Sequence, residues 1–327
     1  MGFIHLPKLI FLGLLVSWGV AEWCYNEESC EPDTWSRLGF CGGNRQSPLD
    51  INESAVVGNS SLGSFQFRGY DNATLLLSIT NLGHTVEVAL GDGASISGGG
   101  LVTEYSAIAF HFHWGNGTRS MGSEHRLSGK QFPMEMHIVH TKNKLNLSES
   151  RKDSTGIAVL AFFINVADSN HSFTSNLSTL SNLLQQVSTA GLSVPLNATI
   201  SLNALLGQVD RTSYYRYLGS LTTPTCDEAV IWTVFKDPIL VPASMINTFP
   251  EQLHFNGSGE LQMMANNFRP PQTIGSRQVQ SSMSTTSTTT ASTTNHAPSS
   301  IHTKQILIPS TVLTIMCFLY TEASLER

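Results

Sequence analysis

Ala109-Phe110-His111-Phe112-His113-Trp114-Gly115, read with Met134-Glu135-Met136-His137-Ile138-Val139-His140, decides how the rest of this chain is understood. Both stretches are apolar, aromatic and β-branched, which predicts strands. Side chains alternate across a strand, so His111 and His113 share one face while Phe110, Phe112 and Trp114 share the other. A lone histidine in an apolar strand is normally a hydrogen-bonded core residue. Two on one face need more polar partners than a core offers. With His137 on an adjacent strand, three neutral imidazoles converge on a divalent metal, zinc above all, with a fourth position open for water. His140, three residues beyond His137, points to the opposite face and reads as structural, and His125 reads as a hydrogen-bonding neighbour.

Other metal patterns fit less well. The chain has no His-Glu-x-x-His helix and no cysteine pairs at finger spacing. A cupin-type iron site also begins with His-x-His on a strand. It wants a carboxylate soon afterwards, whereas the next acidic residue is Glu124, eleven positions after His113. Three histidines without a carboxylate favour zinc hydrolytic or hydration chemistry.

Moving outward, the chain has 327 residues, a formal charge of −6 and no basic tract, which gives nucleic-acid binding no support. Lys8, the apolar run Leu9–Val20 and the small residues before Glu22 predict a secretory signal peptide over 1–21. Nine Asn-x-Ser/Thr sequons agree with export: Asn52, Asn59, Asn72, Asn116, Asn146, Asn170, Asn176, Asn197 and Asn256. Residues 278–305 are a Ser/Thr-rich stretch that cannot bury a core, expected to be a disordered stalk. The apolar tail 306–327, interrupted by Pro309, is short for a span. With the polar spacer before it, it matches a glycolipid (GPI) attachment signal that is removed; a short membrane anchor is the other reading.

Between these ends lies one domain, 22–277, without an internal repeat. Short strand-like runs at 74–80, 84–90, 107–114, 134–141, 156–166 and 229–235 make the fold mainly β. One helix is expected over 174–189, where Leu177, Leu180, Leu183, Leu184 and Val187 recur at helical spacing. Cys317 falls in the removed tail. The remaining four cysteines allow three pairings, the most economical being Cys24–Cys30 with Cys41–Cys226. The longer closure is worth on the order of 4–5 kcal/mol in the chain-entropy model.

Together with Arg45-Gln46-Ser47-Pro48, Asn81-Leu82-Gly83-His84, Gly122-Ser123-Glu124-His125, Ser220-Leu221-Thr222-Thr223-Pro224, Trp232 and Asn267-Phe268-Arg269-Pro270, the histidine motifs resemble those of α-class carbonic anhydrases. The likeness runs from about Trp23 to Pro271 and is to the secreted or GPI-anchored extracellular isoforms. It implies a single domain on a large, twisted, mostly antiparallel sheet of about ten strands with short peripheral helices. It also implies zinc on His111, His113 and His137, and a zinc-bound hydroxide that attacks CO2 to give bicarbonate and a proton. Thr222, held by Glu124, would orient that hydroxide, and Thr223 would face the substrate. Val139, Val159, Leu221, Val230 and Trp232 would line the CO2 pocket. His84 would shuttle the proton near its ordinary pKa of about 6.5, with Tyr25 and Asn81 ordering the connecting waters. Glu135 would hold His137 and the Asn267 carbonyl would hold His113.

Two positions depart from the family's pattern. Leu82 replaces an asparagine near the shuttle. Ala109 replaces the glutamine that supports His111, which predicts weaker zinc retention or slower turnover unless another group substitutes. The expected partners are CO2 and bicarbonate, the membrane through the anchor, and functionally bicarbonate or proton transporters; a monomer suffices. The rival reading is a catalytically silent carbonic-anhydrase-like extracellular binding domain.

Overall fold

The strand-forming runs become long ladders wherever apolar alternation is sustained. The computed structural model describes residues 23–168, 175–197, 200–256 and 261–283. The expected signal peptide, the tail, Asn170 and all but the first residues of the expected stalk lie outside these.

The chain opens with two-residue strands β1 (Asp50–Ile51) and β2 (Val57–Gly58), then β3 (Phe65–Arg68), β4 (Leu76–Asn81), β5 (Val86–Leu90) and β6 (Ser95–Gly98). The central strands follow: β7 (Tyr105–Trp114), the short β8 (Arg126–Leu127), β9 (Met134–Lys142) and β10 (Ile157–Val166). Last come β11 (Ser193–Pro195), β12 (Tyr214–Gly219), β13 (Val230–Val241) and β14 (Gln280–Ser281). Twelve of them form one sheet, ordered β11-β4-β5-β7-β9-β10-β13-β12-β14-β2 along its main path, with β3 and β6 joined beside β7. Pairing is antiparallel except at β10–β13 and β14–β2. β1 and β8 pair separately. The fold is mainly β, as the sequence predicts.

The two faces of this sheet differ in chemistry. Phe110, Phe112, Trp114, Met134, Met136 and Ile138 enter one apolar core, which is covered by short helices. Those helices are α2 (Leu177–Ser181), α3 (Leu202–Leu206) and α4 (Ala243–Gln252), which lend Leu177, Leu180, Leu205, Ile246 and Phe249 to that core, whereas α1 (Leu147–Ser150) packs Leu147 against the other face. The expected helix over 174–189 is two pieces, α2 and a 3-10 turn at Leu184–Val187, that bury the predicted stripe. The opposite face carries the histidines and a second core containing Val139, Val159, Val230 and Trp232. β10 reads as a near-continuous apolar run because both its faces are covered and it pairs in parallel with β13.

The domain continues past the expected boundary at 277. Val279 is buried in the second core and β14 pairs with both β12 and β2. A two-residue pairing inside a serine-rich stretch leaves almost no periodic signal, which is why composition placed the boundary early. Both disulfides join the pairs the sequence favours, Cys24–Cys30 and Cys41–Cys226. No helix among the described residues is long and apolar enough to cross a membrane.

Candidate metal and active site

The β7–β9 register sets His111 opposite His137 and His113 opposite Glu135. In an antiparallel pair, opposite residues project to the same side, so the three histidines meet. Ring centroids lie 5.2 Å apart for His111–His113 and His111–His137, and 4.7 Å for His113–His137. One ring nitrogen from each falls within 4.8 Å of the others.

Hydrogen bonds fix which nitrogen is free. His113 Nδ1–H donates to the Asn267 carbonyl at 2.7 Å, leaving Nε2 as a buried lone pair with no hydrogen-bond partner. His137 Nε2–H donates to Glu135 Oε1 at 2.7 Å, which turns Nδ1 inward. Burial lowers the pKa of His113 to about 3 and that of His111 well below the usual range, with neighbouring imidazoles adding to both shifts. All of this keeps lone pairs available. An orphaned buried imidazole nitrogen beside two others is the donor set that a zinc ion satisfies.

Glu135 is itself anchored. Its Oε1 also accepts from His125 Nδ1–H at 2.6 Å, its Oε2 accepts from the His125 backbone N–H at 2.8 Å, and His125 Nε2 lies 2.7 Å from the Tyr217 hydroxyl. Burial alone would raise the Glu135 pKa, but His125 and His137 hold it well below the carboxylate range. His125 is therefore the hydrogen-bonding neighbour the sequence suggests. Tyr217 was not singled out by the sequence; its position in an aromatic strand gave no polar signal.

Glu124 reaches the site because Gly122 lets the 120–125 loop lie on the end of β7; a Cβ there would fall onto Trp114 C and Gly115 N. Glu124 Oε1 accepts from the Arg269 backbone N–H at 2.9 Å, and Oε2 stands 3.3 Å from His113 Nε2. Burial raises the Glu124 pKa to about 7, against the lowering influence of His137, Arg269 and the Thr222 side chain. Thr222 is buried on the loop after β12, with Thr223 half-buried beside it. That loop is tied by Leu221 N–H to Asp227 O, by Trp232 Nε1–H to Ser220 O, and by the Cys41–Cys226 bridge. Arg269, whose side chain the sequence left without a role, donates to Gln46 Oε1 and to the Ser47 and Cys41 carbonyls. It joins the Glu124 loop to the disulfide.

Val139, Val159, Val230 and Trp232 cluster on this face, with Leu221 packed against them, and the Trp232 ring lies 4.8 Å from His137. They form an apolar wall beside the imidazoles.

The rim departs from expectation in two ways. Asn81 is fully buried: its Nδ2 donates to the Ser188 and His254 carbonyls and its Oδ1 accepts from Gly83 N–H. It shapes the turn before His84 and has no polar atom left to order water. His84 itself packs edge-on to Trp23 at 4.7 Å, and burial, with the charge of His113, lowers its pKa to about 4. In this position it is a far weaker base than a histidine of ordinary pKa. The Tyr25 hydroxyl is buried nearby with no hydrogen-bond partner, among the rings of Trp23 and Trp35. Glu87, another residue the sequence did not flag, sits half-buried on the histidine face of β5, where burial raises its pKa.

The eukaryotic-type carbonic anhydrase family model matches residues 30–283. Carbonic anhydrase 4 of Rattus norvegicus is 38% identical over 275 residues, covering 79% of this chain and 84% of the relative. Carbonic anhydrase 15 of Mus musculus is 36% identical, covering 80% and 83%. Carbonic anhydrase 12 of Homo sapiens is 35% identical, covering 83% and 76%. A mainly β fold with three imidazoles converging on one face, matched by this family over nearly all the described residues, makes the chain a member of the eukaryotic-type carbonic anhydrases.

Proposed function

We propose that this enzyme catalyses the reversible hydration of CO2 to bicarbonate and a proton at the extracellular surface, using zinc held by His111, His113 and His137. The observation that carries the metal reading is the buried Nε2 of His113, without a hydrogen-bond partner, beside two further imidazoles. Zinc in such a site supplies Lewis acidity and makes a water on its open position acidic enough to ionise near neutral pH, as in carbonic anhydrases generally.

The chain's own residues do the rest. Glu124 can only accept a hydrogen bond when ionised, so it draws the Thr222 hydroxyl proton toward itself and leaves the Thr222 oxygen to accept from the nucleophile. Thr223 faces the substrate side. The wall of Val139, Val159, Leu221, Val230 and Trp232 receives CO2, which is small, apolar and weakly hydrated. His84 receives the proton after its ring leaves Trp23, where desolvation no longer depresses its pKa.

Two formed disulfides, the sequons and the apolar tail support an exported, GPI-anchored protein. Zinc analysis with stopped-flow CO2 hydration on the purified protein tests the reading. One zinc per chain with rapid hydration is expected; zinc-loaded but inert protein would establish the silent binding domain instead. Release from the cell surface by a phosphatidylinositol-specific phospholipase tests the anchor.

A further inference from the structure

Three imidazoles converge on one point, yet only two are held by a hydrogen bond. His113 leans on the Asn267 carbonyl and His137 on Glu135. The His111 ring has no hydrogen bond or ion pair among the described residues. It packs edge-on against the rings of His113 and His137. The glutamine that would hold it is Ala109 here.

The β5–β7 register supplies another candidate. Glu87 lies directly opposite His111, and Ala89 directly opposite Ala109. On β5, Val86, Val88 and Leu90 enter the core on the far side of the sheet. Alternation therefore puts Glu87 and Ala89 on the histidine face. The Glu87 carboxylate is half-buried and, like the His111 ring, has no hydrogen-bond or ion-pair partner among the described residues. Two complementary polar groups thus stand opposite each other without a protein hydrogen-bond partner among the described residues, an acceptor-only carboxylate and an imidazole with an N–H to donate. No ion pair within 4.0 Å joins them, so one water or a rotamer change closes the gap. The facing pair of alanines leaves room for either.

We propose that Glu87 is the positioning residue for His111, accepting directly or through one water from the ring N–H turned away from the metal. The carboxylate then does from β5 what a glutamine at 109 would do from β7. The inference rests on the reading of His111 as a zinc ligand.

The test is zinc release from the zinc-loaded full chain to excess chelator, followed by a colorimetric zinc indicator at fixed pH. Glu87→Ala is expected to release zinc about 10-fold faster than wild type. Adding Ala109→Gln to Glu87→Ala should restore most of the lost retention, whereas Ala109→Gln alone should change little. A purely structural defect at position 87 would not be cured by an amide at 109. Glu87→Met keeps the length and removes the acceptor, and it replaces the alanine variant if that does not fold. Wild-type release rates in the Glu87 variants would overturn the proposal, as would failure of Ala109→Gln to rescue. The zinc stoichiometry and hydration rate of the wild type test the functional reading separately.

Discussion

His137 and His140 stand three residues apart on β9, both buried, on opposite faces of one strand. His137 gives one N–H to Glu135 and keeps its other nitrogen free beside His113 and Glu124. His140 uses both: Nδ1–H donates to the Ala158 carbonyl at 3.2 Å, and Nε2 accepts from the Tyr70 hydroxyl at 2.7 Å. Burial does not separate a ligand from a core histidine. The number of ring nitrogens already in use does.

The contrast fails if both residues behave alike when changed. His137→Ala should leave less than about a tenth of the zinc bound and lower CO2 hydration by on the order of 10³-fold or more. Zinc analysis and stopped-flow hydration report both, and the circular dichroism should stay native because the opposite core is untouched. His140→Gln should keep its zinc. Metal loss from the His140 variant would break the distinction.

The two faces should also separate in acid. Burial lowers the His140 pKa from 6.5 to about 4. The unfolded chain therefore takes up this proton first as pH falls, so the stability that neutral His140 contributes is complete above about pH 6.5 and is lost progressively down to about pH 4. The loss is at most about 3 kcal/mol. Urea midpoints measured across that window should fall for wild type and fall less for His140→Gln. Parallel slopes would show that acid instability arises elsewhere.

This contrast also marks what a sequence can carry. The alternation in β7 and β9 carried the strands, their faces and the convergence of three imidazoles, because period-2 patterning and fixed residue spacing are local properties. Supports that come from distant chain left weaker traces. Tyr217 reaches His125 from β12, and Glu87 meets His111 only through pairing across β5 and β7. Asn81 reads as a residue that orders water, but its Oδ1 is engaged by the Gly83 N–H and its Nδ2 by the Ser188 and His254 carbonyls. Helix α4 was invisible for another reason: its buried Met245, Ile246 and Phe249 make too short a stripe between prolines to stand out.

Within the site, a smaller effect separates positioning from binding. Thr222→Val removes the hydroxyl and leaves the imidazoles alone, so zinc content should hold while hydration falls about 10²-fold. An equal fall in zinc content would place Thr222 in the fold rather than in the chemistry.

The smallest effect concerns His84, which belongs to neither class. Its ring is held by packing against Trp23 more than by hydrogen bonding, and packing can be exchanged for water at modest cost. Because desolvation is the leading cause of its low pKa, removing the covering ring must raise that pKa. Trp23→Ala should move the His84 titration from about 4 toward 6.5, read from the imidazole protons by NMR. In dilute buffer His84→Ala should slow hydration by about 10-fold, and imidazole added to the solution should restore it. Trp23→Ala should leave that rate unchanged or raise it by about 3-fold, since a base nearer neutrality accepts the proton more readily. If His84→Ala hydrates at the wild-type rate in dilute buffer, the proton leaves by another route, and the packed ring is then a core residue in the same sense as His140.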